Sequence, residues 1–383
     1  MNDLQPYQSD HLFLLVGTNP LPNYVAAELL LKPSGSLYLI HTDETTIVAD
    51  RLIAALEQKQ KADGVTKIPV NEEKEDDIFS QIERHAIGKK GVGLNYTGGT
   101  KTMAVHAYRA IEQACPDAIF SYLNALTLRM LIKRPGQPSQ SFPVGLAVRP
   151  DLKTLLSLHG YELRTDPKAV PFQHDVAQAL AQADCVKLRE WCNQNLRNGP
   201  DTPFRKKEEL KKVDLPCLID WSGAKTLDDL ATQWGKKIGE VAEWLDGKWL
   251  EDYTLWALQQ VAGSCHVHQT AMSIQPQERG FEFDVAAMRG YQLFAISCST
   301  ETRKGKLKLK LFEAYVRSRQ MGGDEARVGL VCCAPKDNSE SNPAAIQREI
   351  EETWDAQGKL RVFGAEHLPD LPAYLQDWFN SQP

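Results

Sequence analysis

Residues Gly91–Ile111 read GVGLNYTGGTKTMAVHAYRAI, a strand, a tight turn and a helix in succession. Val92, Leu94 and Tyr96 are β-prone residues closing a short strand. Gly98 and Gly99 permit backbone conformations closed to other residues and let a ligand come close to the chain. Thr100 suits a helix N-cap, and Met103, Val105, Ala107 and Ile111 help form the face that packs on a sheet. Successive amides at the start of that helix, with Lys101 beside them, make an anion site. The alternative is a strand-to-helix turn that holds no ligand.

The same alternation runs to either side. LFLLV (12–16) is a continuous apolar run of the kind found in buried parallel strands, followed by the turn GTNPLPN and a helix through Leu31. LYLI (37–40) is a second strand, with a helix to about Gln60 after it. Residues 66–70 form a third strand and 76–87 a helix; AIFSYLN (118–124) is a fifth strand. TLRMLIKR (127–134) and FPVGLAV (142–148) read as an antiparallel pair. This order predicts an α/β fold, a Rossmann-like domain with a mostly parallel sheet over residues 1–150. Ligands of such sheets gather beyond the carboxyl ends of the strands. Three loops meet there: Gly17–Pro20 with Gly17, Thr18 and Asn19; His41–Glu44 with Thr42; and Thr97–Thr102, where Thr97, Gly98, Gly99, Thr100 and Lys101 lie. Hydroxyls, amides and one cation suit an anionic ligand; simple helix capping is the alternative.

The totals exclude several classes. With 383 residues the chain is long enough for two or three domains, and 42% apolar with 25% charged residues is an ordinary soluble composition. No apolar run approaches the roughly 20 residues of a membrane span, and MNDLQPYQSD carries no secretory pattern. Eight scattered cysteines without a CxxC pair predict reduced thiols and a cytoplasmic location. The TGGTKT turn lacks the GxxxxGK[ST] spacing of a nucleoside-triphosphate loop, so triphosphatase chemistry is not expected. A formal charge of −6 means that nucleic acid must be met by a local basic patch, Lys304, Lys306, Lys308 and Lys310 being one candidate.

Residues 151–235 read as a mostly helical connection. Within and beyond it, TLDDLATQWGKKIGEVAEWL (226–245) has the pattern of a small helical DNA-binding unit, though a plain helical bridge is the commoner meaning. From 236 to 383 the pattern is that of a second α/β domain. A long helix, 238–262, carries Glu251; FEFDVAAMRG and YQLFAISCST form a hairpin; a lysine-rich helix (306–320) and the strand VGLVCCA come next. Period-two alternation puts Glu282 and Asp284 on one strand face, and Phe281, Phe283 and Val285 on the other. Asp284 and Glu251 are suitable ligands for Mg²⁺ or Mn²⁺, which polarises a phosphodiester and activates water. A nearby lysine would stabilise charge developing on phosphate. A solvated hairpin face is the alternative.

VGTNPLPN and LNYTGGTKTM resemble the CRISPR-associated Rossmann-fold (CARF) sensor domain, and the helix–hairpin–helix order resembles the PD-(D/E)XK, or restriction-endonuclease-like, nuclease domain. Together, over roughly residues 10–150 and 240–335, they resemble the cyclic-tetra-adenylate-activated ancillary nucleases of type III CRISPR defence. The resemblance implies a homodimer that binds a cyclic oligoadenylate across its sensor domains and cleaves DNA or RNA. It assigns the ligand to Gly17, Thr18, Asn19 and Thr97 to Lys101, and matches Glu251 to the helix acid and Asp284 to the strand aspartate. Where an acid, one residue and lysine are expected, this chain has Ser297-Cys298-Ser299. Glu282 and Ser297 join the catalytic set, and Lys308 is the expected replacement lysine, with Lys304, Lys306 and Lys310 as rivals. Its position one turn before Phe312 suggests the packed side, with Lys310 facing water. A regulator that binds nucleic acid without cutting it, and a ring nuclease that degrades its own cyclic signal, are the competing functions.

Overall fold

The computed structural model describes residues 2–58, 64–277, 282–336 and 342–383. Twelve strands make two sheets among these residues. The first takes β1 (Ser9–Leu15), β2 (Leu31–His41), β3 (Gly64–Pro69), β4 (Val92–Asn95), β5 (Ile119–Asn124), β6 (Arg129–Lys133) and β7 (Gln140–Pro143). Their order is β3-β2-β1-β4-β5-β6-β7. Strands β1 to β5 are parallel, and β6 and β7 are added antiparallel. The chain turns from one side of β1 to the other between β3 and β4, so the switch point lies between β1 and β4, where ligands of such sheets bind.

Helices Thr46–Glu57, Glu75–Ala86 and Lys101–Ala114 cross between the parallel strands. The helix expected to reach Gln60 ends at Glu57, and Gln60 itself lies outside the described residues. Strand β7 stops at Pro143, short of the expected FPVGLAV strand. Val144 N still donates to Leu128 O, just ahead of β6 in the first sheet, at 2.9 Å, the Gly145 carbonyl then lies against Gly290 of the second sheet, and both Val144 and Val148 are buried.

The second sheet takes β8 (Val267–Ile274), β9 (Phe283–Arg289), β10 (Gln292–Ser299), β11 (Arg327–Cys332) and β12 (Leu360–Phe363), in the order β12-β11-β10-β9-β8. β8, β9 and β10 form an antiparallel meander, and the helix Lys304–Gly322 crosses to β11, which lies parallel to β10. The expected unbroken helix of 238–262 is one run with a π turn: Ile238–Glu243, the turn Trp244–Lys248, then Trp249–Val261. Phe283 and Val285, expected on one face, join different apolar clusters. Ser273, which lies opposite Asp284, has a left-handed φ of 57° that distorts the ladder there; Phe281 lies outside the described residues.

One apolar cluster spans both sheets. Leu123, Met130 and Ile132 of the first pack with Ala286, Met288, Leu293 and Ala295 of the second. At the β9–β10 turn, Gly290 has a φ of +55°, and a Cβ there would stand 1.8 Å from Gly145 O. Only a bare backbone fits this approach.

Candidate active site and ligand edge

At the carboxyl edge of the first sheet, the loops after β1 and β4 touch. A Cβ on Gly17 would stand 2.9 Å from Gly99 N, and one on Gly98 would stand 2.2 Å from Leu15 O. Gly99 takes a φ of +72°. These glycines therefore allow two backbones to meet at the switch point. Thr100 is extended and its Oγ1 accepts from Met103 N at 3.2 Å, the N-cap read from the sequence. Thr18, Gly99, Thr100 and Lys101 are exposed along this edge. Asn23, fully buried, donates from Nδ2 to Leu15 O at 2.9 Å, and its Oδ1 has no partner.

Other edge residues are engaged in the fold. Thr97 Oγ1 accepts from Leu123 N at 2.8 Å. Thr42 is buried, its amide and hydroxyl both bonded to Thr45 Oγ1. Its cavity, about 480 Å³, is ringed by Asp43, Glu44, Glu72, Glu73 and Asp77. That acidic lining repels a phosphate, so Thr42 is set apart from the Gly17–Gly99 contact. Asn19 Oδ1 accepts from Leu21 N at 3.1 Å, and its Nδ2 donates to Glu325 Oε2 at 3.2 Å, a bond that links the two sheets' loops. Glu325 is fully buried, and burial pushes its carboxyl up to about 7.

In the second sheet the acids converge. Asp284 leaves β9 toward the helix that carries Glu251. Its Oδ2 accepts from Ser297 Oγ at 2.9 Å and from Cys298 N at 2.6 Å. Lys310 Nζ stands 3.2 Å from the same oxygen and also donates to Cys298 O. Burial alone would lower the Lys310 pKa, but Asp284 above all outweighs it, so the ammonium is held charged. Burial, then Asp284 and Glu282, push the Glu251 carboxyl up to about 8. Glu282 is at the rim, accepting from Gln275 Nε2 at 2.8 Å.

Two cavities, of about 560 Å³ and 730 Å³, meet at Glu243, Lys248 and Glu251, making one groove past the acids. Arg189 and Arg197, from the segment read as a connection, border it and pair with Asp246 at 2.9 and 2.7 Å.

Two expectations are corrected. Lys308 does not reach the acids; it pairs with Glu349 on the helix Pro343–Trp354. Lys310, expected to face water, is the lysine at Asp284. The buried face of the helix runs through Leu307, Leu311 and Ala314. Phe312, the marker for the packed side, is only partly buried and stacks on Trp354 at 4.5 Å, on the Lys308 side. Ser297 contributes no acid; it orients Asp284.

The donor set fits a hard divalent ion. Asp284 Oδ2 and Cys298 O already converge on one cation, the Lys310 ammonium. Among the described residues no three His, Cys, Asp or Glu side chains form a preformed metal cage. Two carboxylates and a carbonyl suit Mg²⁺ or Mn²⁺, which keep several waters.

The paired sheets, joined by a shared core and ordered 3-2-1-4-5-6-7 and 12-11-10-9-8, can be set beside known structures. Protein VC1899 from Vibrio cholerae has 16% identity and a TM-score of 0.71, covering 97% of this chain and 98% of that one. Can2 from Sulfobacillus thermosulfidooxidans, solved in complex with cyclic tetra-adenylate, has 16% identity and a TM-score of 0.70, covering 99% of both chains. This chain has their fold from end to end. A type III CRISPR defence DNA nuclease activated by cyclic oligoadenylate has 20% identity and a TM-score of 0.50, covering 85% of this chain and 46% of that one. No protein-family model and no curated protein matches the sequence. No described helix is long and apolar enough to cross a membrane.

Proposed function

We propose that the chain is a cyclic-oligoadenylate-activated, metal-dependent nuclease of type III CRISPR defence, with cyclic tetra-adenylate as its activator. Residues 1–150 form the sensor, 151–235 a helical connection and 236–383 the nuclease. The observation that carries the reading is the pairing of Lys310 with Asp284 at 3.2 Å beside an open groove that Lys310 and Glu251 line, in a fold shared with Can2 and the CRISPR nuclease.

Asp284, Glu251 and the Cys298 carbonyl would hold Mg²⁺ or Mn²⁺, which supplies polarisation of the phosphodiester and an activated water. Ser297 and the Cys298 amide fix the Asp284 carboxylate. Lys310 keeps a positive charge where the phosphate's negative charge grows in the transition state. Glu282 acts from the rim, on the field around Glu251. At the sensor edge, Gly17, Gly98 and Gly99 open the backbone to the ligand, with Thr18, Thr100 and Lys101 as exposed contacts. A two-fold ligand calls for a homodimer in the cytoplasm. Val105, expected on the packed face, is instead 56% exposed on the helix that begins at Lys101 and would offer that dimer an apolar contact.

The test is to incubate the protein with plasmid and with single-stranded RNA, in Mg²⁺ and in Mn²⁺, with and without each cyclic oligoadenylate. Cleavage is expected only with cyclic ligand and metal together. Retention of nucleic acid without cleavage, at saturating ligand in Mn²⁺, would favour the non-cleaving regulator, for which the missing acid at Ser297 speaks.

A further inference from the structure

The segment 203–248 does more than connect. Thr226 caps the helix Leu227–Trp234 with a full capping box, Gly235 turns in the left-handed region at a φ of +60°, and the next helix begins at Ile238. Leu227, Leu230, Ala231, Ile238, Val241 and Ala242 are the buried side of this pair. Two helices joined by a three-residue, glycine-led turn are the frame of a helix–turn–helix unit.

Its outer face is basic in a chain of formal charge −6. Lys236 and Lys237 lie exposed in the turn. Across an open cavity of about 710 Å³ stand Arg205, Lys207 and Lys211. Among the described residues Lys207 and Lys237 have no ion-pair partner. Three acids share the cavity with these five cations: Asp228, Glu240, which accepts from Lys237 N at 2.9 Å, and Glu243, which pairs with Lys248 at 3.2 Å. The aromatic rings beside this face are engaged within the fold: Phe204 lines the cavity with Arg197 over its ring at 4.0 Å. Trp234 packs edge-on against Phe172 at 5.6 Å and Trp244 at 5.0 Å. Rings already engaged in this way make a poor stacking platform, which sets the surface apart from single-strand sites.

The second helix continues through the π turn into the helix of Glu251. Thirteen residues separate Ile238 from Glu251, about 20 Å at the helical rise. Lys236, Glu240 and Glu243 also border the cavity lined by Glu251 and Glu282.

We propose that this unit is the docking surface for double-stranded DNA, with Lys236 and Lys237 on phosphates and the Ile238 helix against the groove, and that it delivers the duplex to the acids. Delivery to the acids rests on the nuclease reading; the docking itself rests on geometry and charge alone.

The test is fluorescence anisotropy of a labelled 20-base-pair duplex in chelator, across a salt series, with and without cyclic tetra-adenylate. The double variant Lys236→Ala/Lys237→Ala should raise Kd about ten-fold or more. It should also flatten the slope of log Kd against log salt by about 2, near 0.9 for each phosphate no longer neutralised. Binding of single-stranded RNA of equal length should change little, and Lys90→Ala, on the sensor, should leave both affinities alone. Both lysines are exposed, so Tm should hold; Lys236→Gln/Lys237→Gln repeats the test if it does not. An unchanged duplex Kd and slope, an equal loss for single strands, or no duplex binding by the wild type overturns the proposal. No bond is cut in chelator, so the two readings fail separately. If the nuclease assignment fails, duplex affinity still depends on these lysines. If docking fails, the double variant binds and cuts as the wild type does, while Asp284→Asn still stops cleavage.

Discussion

The ligand edge and the acid groove are built in opposite ways. At the edge, two backbones approach so closely that Gly17 and Gly98 leave no room for a Cβ. Its chemistry is amides and hydroxyls, with Lys101 as the cation on its rim. In the groove the backbone contributes one amide and one carbonyl of Cys298, and the rest is side chain: Glu251 from a helix, Asp284 and Ser297 from a hairpin, Lys310 from the crossover helix. A backbone-built site is written in a few contiguous residues. A side-chain-built site depends on which face each helix buries.

The contrast is sharpest at Asp284. Asp284→Asn should abolish cleavage in Mn²⁺ and leave cyclic-oligoadenylate affinity by calorimetry unchanged, because the carboxylate bonds to Ser297, Cys298 and Lys310, far from the loops of the first sheet's edge. Cleavage near the wild-type rate at saturating metal would remove Asp284 from the site.

Lys310 comes next. Lys310→Ala should slow single-turnover cleavage at saturating nucleic acid by on the order of 100-fold, the scale of removing one preorganised charge. Lys308→Ala, which breaks only the pair with Glu349, should change it little. Equal rates for the two variants would end the case for Lys310.

A smaller loss is expected at the edge, where one cation is added to a backbone site. Lys101→Ala should weaken cyclic tetra-adenylate binding about ten-fold or more, since a charge-assisted phosphate interaction contributes roughly 1.5–3 kcal/mol. An unchanged Kd would leave the amides to bind the ligand alone.

The mildest effect belongs to the bond between the regions. The folded Glu325 carboxyl keeps its proton to about pH 7, whereas an ordinary glutamate releases it near 4.5. The unfolded chain thus loses that proton first, and stability falls as pH rises from about 4.5 to 7. Glu325→Gln should flatten that part of the Tm–pH curve; an unaltered curve would show that Glu325 is not its source.

Legibility in the sequence divides the same way. The parallel sheet, the Thr100 cap and the close glycines are readable, because each is local: an apolar run, a hydroxyl before a helix, a paired Gly. Glu251 and Asp284 are readable as acids on a long helix and on the hairpin strand that follows it, although the alternation expected around Asp284 fails at Phe283 and Val285. Lys310 is not, because the choice between Lys308 and Lys310 turns on Phe312, a large apolar residue that packs on Trp354 outside the main core. Leu307 and Leu311, spaced one turn apart, hold the true signal. Asn19 reads as a ligand contact and is instead bonded to Glu325, 306 residues away, a partner no local pattern reveals. Arg189 and Arg197 escape notice because their segment reads as a bridge.

The core that runs from Met130 to Leu293, and the bare backbone contact of Gly290 with Gly145, make the two halves poor cassettes. A first half cut away near residue 150 would carry half of an apolar seam into water, and so would the half left behind. Recombination between relatives would have to exchange both sides of that seam at once. The two halves would therefore have to travel as one unit, and a designer who replaces either of them must carry the seam along with it.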